Sequence, residues 1–180
     1  YPRTTKFVRK DPTERALPQT LASNFDLVLI AQPAEEVNFK RLERELVLAH
    51  ETGATVAVVL TKADLIGESA EVHETIDKVR SLVGHDAVFV VSQDDPASIE
   101  QVGSFIAEGN KTAVLIGRSG VGKSSLVNLL VGQDIQATTP VRESDGKGRH
   151  TTVSREIIEL PQGGSVIDMP GVRGLGLWDA

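Results

Sequence analysis

The chain has 180 residues, 40% hydrophobic and 24% charged, the balance of an ordinary globular protein. It holds no cysteine, which excludes disulfides, thiol catalysis and cysteine-ligated zinc or iron–sulfur sites within it. The net charge of −6 argues against a general nucleic-acid binder, and no apolar run is long enough to span a membrane.

The charge is uneven. Residues 1–20 carry Arg3, Lys6, Arg9, Lys10 and Arg15 against Asp11 and Glu14; five minus two gives +3, which leaves −9 on the rest. Such an arm suits either a solvated linker or contact with RNA phosphates. It lacks helical period and reads as the tail of a preceding domain. The start at Tyr1 and the lack of a secretory pattern lead us to expect a piece of a longer, cytoplasmic product.

Beyond it, strands and helices alternate. Residues 26–31 form an apolar run rich in Val, Leu and Ile, a predicted strand. Residues 38–52 repeat at helical spacing through Phe39, Leu42, Leu46 and Ala49, and Gly53 stops them. A second strand is predicted over 54–60, a helix over 69–83 through Val72, Ile76 and Val79, and a third strand over 87–91. Residues 97–107 are helical with Ile99, Val102 and Ile106 inward; 111–116 are a strand and 123–131 the next helix. Residues 132–150 are polar and read as a long mobile loop. Residues 153–160 alternate as a strand with one covered face, 161–164 turn, and 165–168 form a further strand. Nearly continuous apolar strands point to a doubly wound α/β fold with a mostly parallel sheet buried on both faces. Ligands of such sheets bind at the carboxyl ends of strands, where the loops after Leu60, Val91 and Ile116 fall.

The last of these loops reads Gly117-Arg118-Ser119-Gly120-Val121-Gly122-Lys123-Ser124, with Ser125 continuing into the helix. A strand, this spacing and a helix together make a phosphate-binding loop. Glycines admit the backbone close to a phosphate, and loop amides with the helix N-terminus point at the anion. Lys123 is expected to reach the β- and γ-phosphates, and Ser124 to offer its hydroxyl to Mg2+.

The loop after Leu60 is Thr61-Lys62-Ala63-Asp64. A carboxylate there can accept from guanine N1–H and the exocyclic amine together, while adenine would leave it unpaired. The stem of Lys62 can cover the base. The competing reading is a strand-end turn with Asp64 capping a helix. Ser92, in Val91-Ser92-Gln93, either adds backbone contacts to the guanine or simply ends a strand. Asp168-Met169-Pro170-Gly171 follows an apolar strand. Asp168 there suits the Mg2+ water shell and the Gly171 amide a γ-phosphate, or the segment is a plain turn. One of Thr151 and Thr152 is expected to ligate Mg2+ and order the polar loop when a triphosphate binds; spacing does not say which.

With these motifs in hand, the chain resembles the circularly permuted P-loop GTPases. Ordinary members place the phosphate loop first and the guanine motif last; here residues 61–64 precede 117–124. Within that group it is similar to the ribosome small-subunit-dependent GTPases, the RsgA, YjeQ or EngC family. The similarity rests on Leu60-Thr61-Lys62-Ala63-Asp64-Leu65, Gly148-Arg149-His150-Thr151-Thr152, Asp168-Met169-Pro170-Gly171-Val172-Arg173 and residues 17–24. It implies a permuted GTPase domain over 21–180, with 1–20 the tail of an OB-fold domain and its linker. The family's zinc domain, with Cys and His ligands, is not in this sequence.

The resemblance further implies Mg2+-dependent hydrolysis of GTP to GDP and phosphate, late in maturation of the bacterial 30S subunit. It implies 16S rRNA binding, stimulation by that subunit and a cytoplasmic monomer with no membrane partner. Two residues depart from the pattern: Thr61 replaces an asparagine, and Met169 a threonine. Val172 stands where many GTPases carry a water-orienting glutamine, and its side chain cannot hydrogen bond. His150 is therefore expected, by resemblance, to position the attacking water, with an RNA contact as its other reading. Three alternatives remain: a permuted GTPase of large-subunit assembly, a nucleotide-gated RNA-binding module with negligible hydrolysis, and an ATP-using enzyme. Asp64 argues against the last.

Overall fold

The computed structural model of the chain describes residues 2, 4–9, 19–67, 69–132 and 157–168. Two short strands, β1 (Lys6–Arg9) and β2 (Gln19–Ser23), pair antiparallel. There follow β3 (Leu27–Pro33), α1 (Phe39–Glu51), β4 (Thr55–Thr61), α2 (Ala70–Val83), β5 (Val88–Val90) and α3 (Pro96–Ala107). The chain closes with β6 (Thr112–Ile116), α4 (Lys123–Val131), β7 (Ile157–Glu159) and β8 (Ser165–Asp168).

Strands β3 to β8 form one sheet in the order β5-β4-β3-β6-β8-β7. All pairs are parallel except β7–β8, which is antiparallel at the edge. Winding runs outward from β3 to β5, then returns to the other flank of β3 at β6. A crossover can keep its right hand through such a reversal only by changing face. Accordingly α1 and α2 bury Leu42, Leu46 and Val79 against Val28, Ile30, Val58 and Leu60. On the opposite face α3 and α4 bury Val102, Ile106, Leu126 and Val127 against Leu29, Ala31, Val59 and Leu115. Successive residues of one strand thus serve two cores, which is why the strand sequences are apolar throughout rather than alternating.

The predicted helix starts at Asn38 and Ser69 are the caps themselves. Asn38 Oδ1 accepts from Arg41 N–H at 3.0 Å, and Ser69 Oγ from Val72 N–H at 3.3 Å. Asp95 caps α3 through Ala97 N–H at 3.1 Å, with Pro96 in the first turn. In the region read as one strand over 153–160, β7 occupies Ile157–Glu159; Ile158 and Leu160 point inward, Ile157 outward. Residues 153–156 and 133–150 lie outside the described residues.

The arm read as a tail over residues 1–20 contains β1 and the first residues of β2, which runs on to Ser23. The strand pair clasps the entrance to β3: Thr5 Oγ1 donates to Phe25 C=O at 2.6 Å and accepts from Phe25 N–H at 2.9 Å. Asn24 N–H donates to Thr5 C=O at 3.0 Å. Among the described residues no helix is long and apolar enough to cross a membrane.

Candidate nucleotide-binding site

The order of winding reverses between β3 and β6, and the crevice beyond their carboxyl ends is where doubly wound sheets take ligands. β6 ends there in the loop 117–122. Gly117 has φ +149°, and a Cβ on it would lie 2.6 Å from Ala31 C=O, so only glycine lets the loop leave so close to β3. Gly122 (φ +100°) then turns the chain into α4. Lys123, only 8% exposed, opens that helix. Its Nζ donates to Gly117 C=O at 2.8 Å and Arg118 C=O at 3.1 Å. Burial pushes the Lys123 ammonium below its usual pKa; Asp168 and Glu45 oppose that, while Arg41 adds to it. Glu45 is itself buried and held by Gln32 Nε2 and Arg41 Nε, each at 2.8 Å, which pins α1 beside the loop.

β4 brings the second motif to the same end. Lys62 adopts φ +59°, uncommon for a side-chain-bearing residue, and this turns its stem back across the loop. Its Nζ donates to Gly120 C=O at 2.8 Å. The Thr61 hydroxyl lies between Gln32 C=O, at 3.2 Å, and Val121 C=O, a closer contact. Two ties therefore fasten residues 61–62 to the loop backbone. Ala63 N–H donates to Val91 C=O at 3.1 Å, which adds the end of β5. Between these parts lies a cavity of about 210 Å³. Thr61, Lys62, Asp64, Gln93, Gly122 and Ser125 give it polar edges, and Leu65, Val91, Leu126 and Leu129 give it apolar walls.

Asp64 sits in a short 3-10 turn (Ala63–Leu65) and does not cap α2, whose cap is Ser69. Its Oδ1 accepts from Gln93 N–H at 3.4 Å, and Oδ2 from Gln93 Nε2 at 3.3 Å. Ser92 does not line the cavity; its hydroxyl accepts from Asp94 N–H at 3.1 Å and shapes the turn. Sequence reading thus singled out Ser92 and passed over the Gln93 side chain. No sequence signal marks Gln93, which stands 29 residues from Asp64. Arg118, Ser119 and Gly120 are exposed and, with Val121, Asn38 and Arg41, line a second cleft of about 330 Å³ that shares Lys62 with the first.

Asp168 ends β8 opposite Leu115 of β6. Its Oδ1 is buried and has no hydrogen-bond partner among the described residues. Burial raises the Asp168 pKa, and Lys123 partly counters it. A folded pKa above the usual value of 3.8 means stability is full below that value and is lost as pH rises through the folded one. Asp168→Asn should therefore raise the melting temperature of the nucleotide-free chain at pH 7, with the gain vanishing toward pH 4. A variant that melts lower at pH 7 would contradict the sign. His150, Thr151, Thr152 and Gly171 lie outside the described residues. Among the described ones no cluster of three His, Cys, Asp or Glu could hold a metal by itself. The hydroxyl of Ser124 and the orphaned Asp168 oxygen are of the hard-oxygen kind that Mg2+ takes alongside phosphates.

One cavity thus joins a phosphate-type loop to a carboxylate that comes earlier in the sequence. A model of the RsgA GTPase family matches residues 1–178. The chain belongs to that family. A protein named small ribosomal subunit biogenesis GTPase RsgA, from Streptomyces avermitilis, is 42% identical over 180 residues, 99% of this chain and 48% of the relative. The chain therefore spans about half the length of the curated relatives it matches. Among solved structures, YjeQ from Thermotoga maritima superposes with TM-score 0.69 at 23% identity, over 99% of this chain and 56% of that one. YloQ, described as a circularly permuted GTPase, gives TM-score 0.60 at 22% identity, over 100% and 61%. These two likenesses concern the fold: the sheet of this RsgA-family chain is the α/β sheet of permuted P-loop GTPases.

Proposed function

We propose that this chain is the GTP-binding and GTP-hydrolysing part of a cytoplasmic GTPase that acts in maturation of the small ribosomal subunit. The observation that carries the reading is the shared cavity: Asp64, Gly122 of the loop and Ser125 of α4 face the same 210 Å³ space. A guanine fits between the Lys62 stem and the apolar wall, its N1–H and amine on Asp64. The phosphates then extend along Gly117–Ser124 toward the loop amides, the α4 N-terminus and Lys123.

In this reading Lys123 and the amides of 118–124 stabilise charge developing on the transferred phosphoryl group, which supplies most of the catalysis in such sites. Ser124 and one of Thr151 and Thr152 would hold Mg2+, with Asp168 on its water shell, and the ion would supply positive charge against the phosphate oxygens. The Gly171 amide meets the γ-phosphate, and His150 orients the attacking water in place of the side chain that Val172 lacks. We assign residues 1–20 to the end of a preceding OB-fold domain and its linker, and 21–180 to the permuted GTPase domain. The small subunit and its 16S rRNA are the proposed partners of a monomeric protein. Without cysteine this chain offers no thiolate to the zinc site that the resemblance implies.

Competition among GTP, GDP and ATP for the chain tests the base reading, and turnover with and without 30S particles tests the rest. GTP and GDP should compete, ATP should be at least about a hundredfold weaker, and 30S should accelerate hydrolysis. Equal competition by ATP removes the guanine assignment. Tight GTP binding without hydrolysis, even with 30S, makes the chain a nucleotide-gated binding module.

A further inference from the structure

Before any base arrives, the Asp64 carboxylate is already engaged at both oxygens by one residue. Gln93 N–H lies 3.4 Å from Oδ1 and Gln93 Nε2 lies 3.3 Å from Oδ2. Gln93 also lines the base-sized cavity, and it is exposed. A carboxamide nitrogen is a neutral donor of two N–H groups, the same kind of donor as the exocyclic amine of guanine.

We propose that Gln93 is a specificity-determining residue that makes this site tolerant of hypoxanthine nucleotides; the proposal rests on Asp64 reading the base. Guanine offers Asp64 two donors, N1–H and the 2-amine. Hypoxanthine offers N1–H alone. In a pocket with no other donor, hypoxanthine would leave one carboxylate oxygen desolvated and unpaired, and unpaired buried groups are what makes such discrimination steep. Here Gln93 Nε2 stays on Oδ2 when the 2-amine is missing. When guanine binds, its amine displaces that same contact and gains correspondingly less. Both effects narrow the gap between the two bases. The backbone N–H on Oδ1 is common to every side chain at position 93 and cancels from the comparison. Fixation of Ala63 N–H on Val91 C=O at 3.1 Å keeps residues 64 and 93 within reach of one another.

The test compares dissociation constants for GDP and inosine diphosphate in the wild type, Gln93→Ala and Gln93→Met. Methionine keeps the length of glutamine and removes its donor. The ratio of inosine diphosphate to GDP dissociation constants should rise about threefold to tenfold in both variants, the net size of one ordinary hydrogen bond, as suits a 3.3 Å contact at an exposed side chain. An unchanged or smaller ratio overturns the proposal, including the case where both nucleotides weaken equally, since that is a packing effect. If the wild type binds neither nucleotide, the guanine reading itself fails. If it binds GDP and the ratio does not move, only the role of Gln93 fails.

Discussion

Replacing Lys123 with alanine should lower single-turnover GTP cleavage by about a hundredfold to a thousandfold, the usual loss when one preorganised donor to a developing oxyanion is removed. Lys123 is buried at the first position of α4 and is the cation that the loop carbonyls of Gly117 and Arg118 hold in place. An ammonium so placed needs no reorganisation as charge shifts onto the phosphoryl oxygens. The change should cost the fold little. Burial depresses the Lys123 pKa, so its stability contribution is full only above the usual 10.5 and is lost as pH falls through the folded value. At pH 7 the charged form is therefore a cost to the nucleotide-free chain; alanine relieves it and offsets part of the gain by leaving the carbonyls of buried Gly117 and of Arg118 without that donor. Cleavage measured at saturating GTP beside a thermal melt separates the two effects. A folded Lys123→Ala chain that cleaves GTP within about threefold of wild type would remove Lys123 from the chemistry.

Asp64→Asn should exchange the preferred base. Asparagine offers one acceptor and one amide donor where guanine needs two acceptors, so one guanine donor is left facing N–H. GTP affinity should fall by about a hundredfold or more, the cost of unpaired buried polar groups. Xanthosine triphosphate carries a carbonyl where guanine carries its amine, and its affinity should rise. The Lys62–Gly120 and Thr61–Val121 ties do not involve the carboxylate, so the pocket keeps its shape. Parallel titration of GTP, ATP and xanthosine triphosphate checks the exchange. A uniform loss across all three would mean that Asp64 shapes the turn and reads nothing.

Much of this site is legible in the chain because its signals are local. Gly117–Ser124 needs no context beyond its own spacing and the apolar run before it. The caps Asn38 and Ser69 announce their helices, and the apolar runs over 26–31 and 54–60 announce strands covered on both sides. The partnership of Gln93 with Asp64 leaves no such trace, since two residues 29 apart meet only because β4 and β5 end side by side. The same holds for Gln32 of β3 with Glu45 and Arg41 of α1: the two charges look in sequence like ordinary helix surface, yet Glu45 is buried on Gln32. Ser92 is singled out in the sequence for backbone contacts at a strand end, and its hydroxyl takes part in the turn through Asp94 N–H.

Taken alone, the residue order determines backbone preference and burial: which segments are strands or helices, which faces are covered, and which loops carry phosphate-binding chemistry. These follow from hydrophobic period, caps and glycine, all of which act over a few neighbours. Only the tertiary structure decides that β3 lies between β4 and β6. It therefore also decides that Lys62 reaches Gly120 and that Asp64 shares a cavity with Ser125. Strand order and register are set by long-range pairing of surfaces that are equally apolar in every strand, so no local pattern can distinguish one neighbour from another.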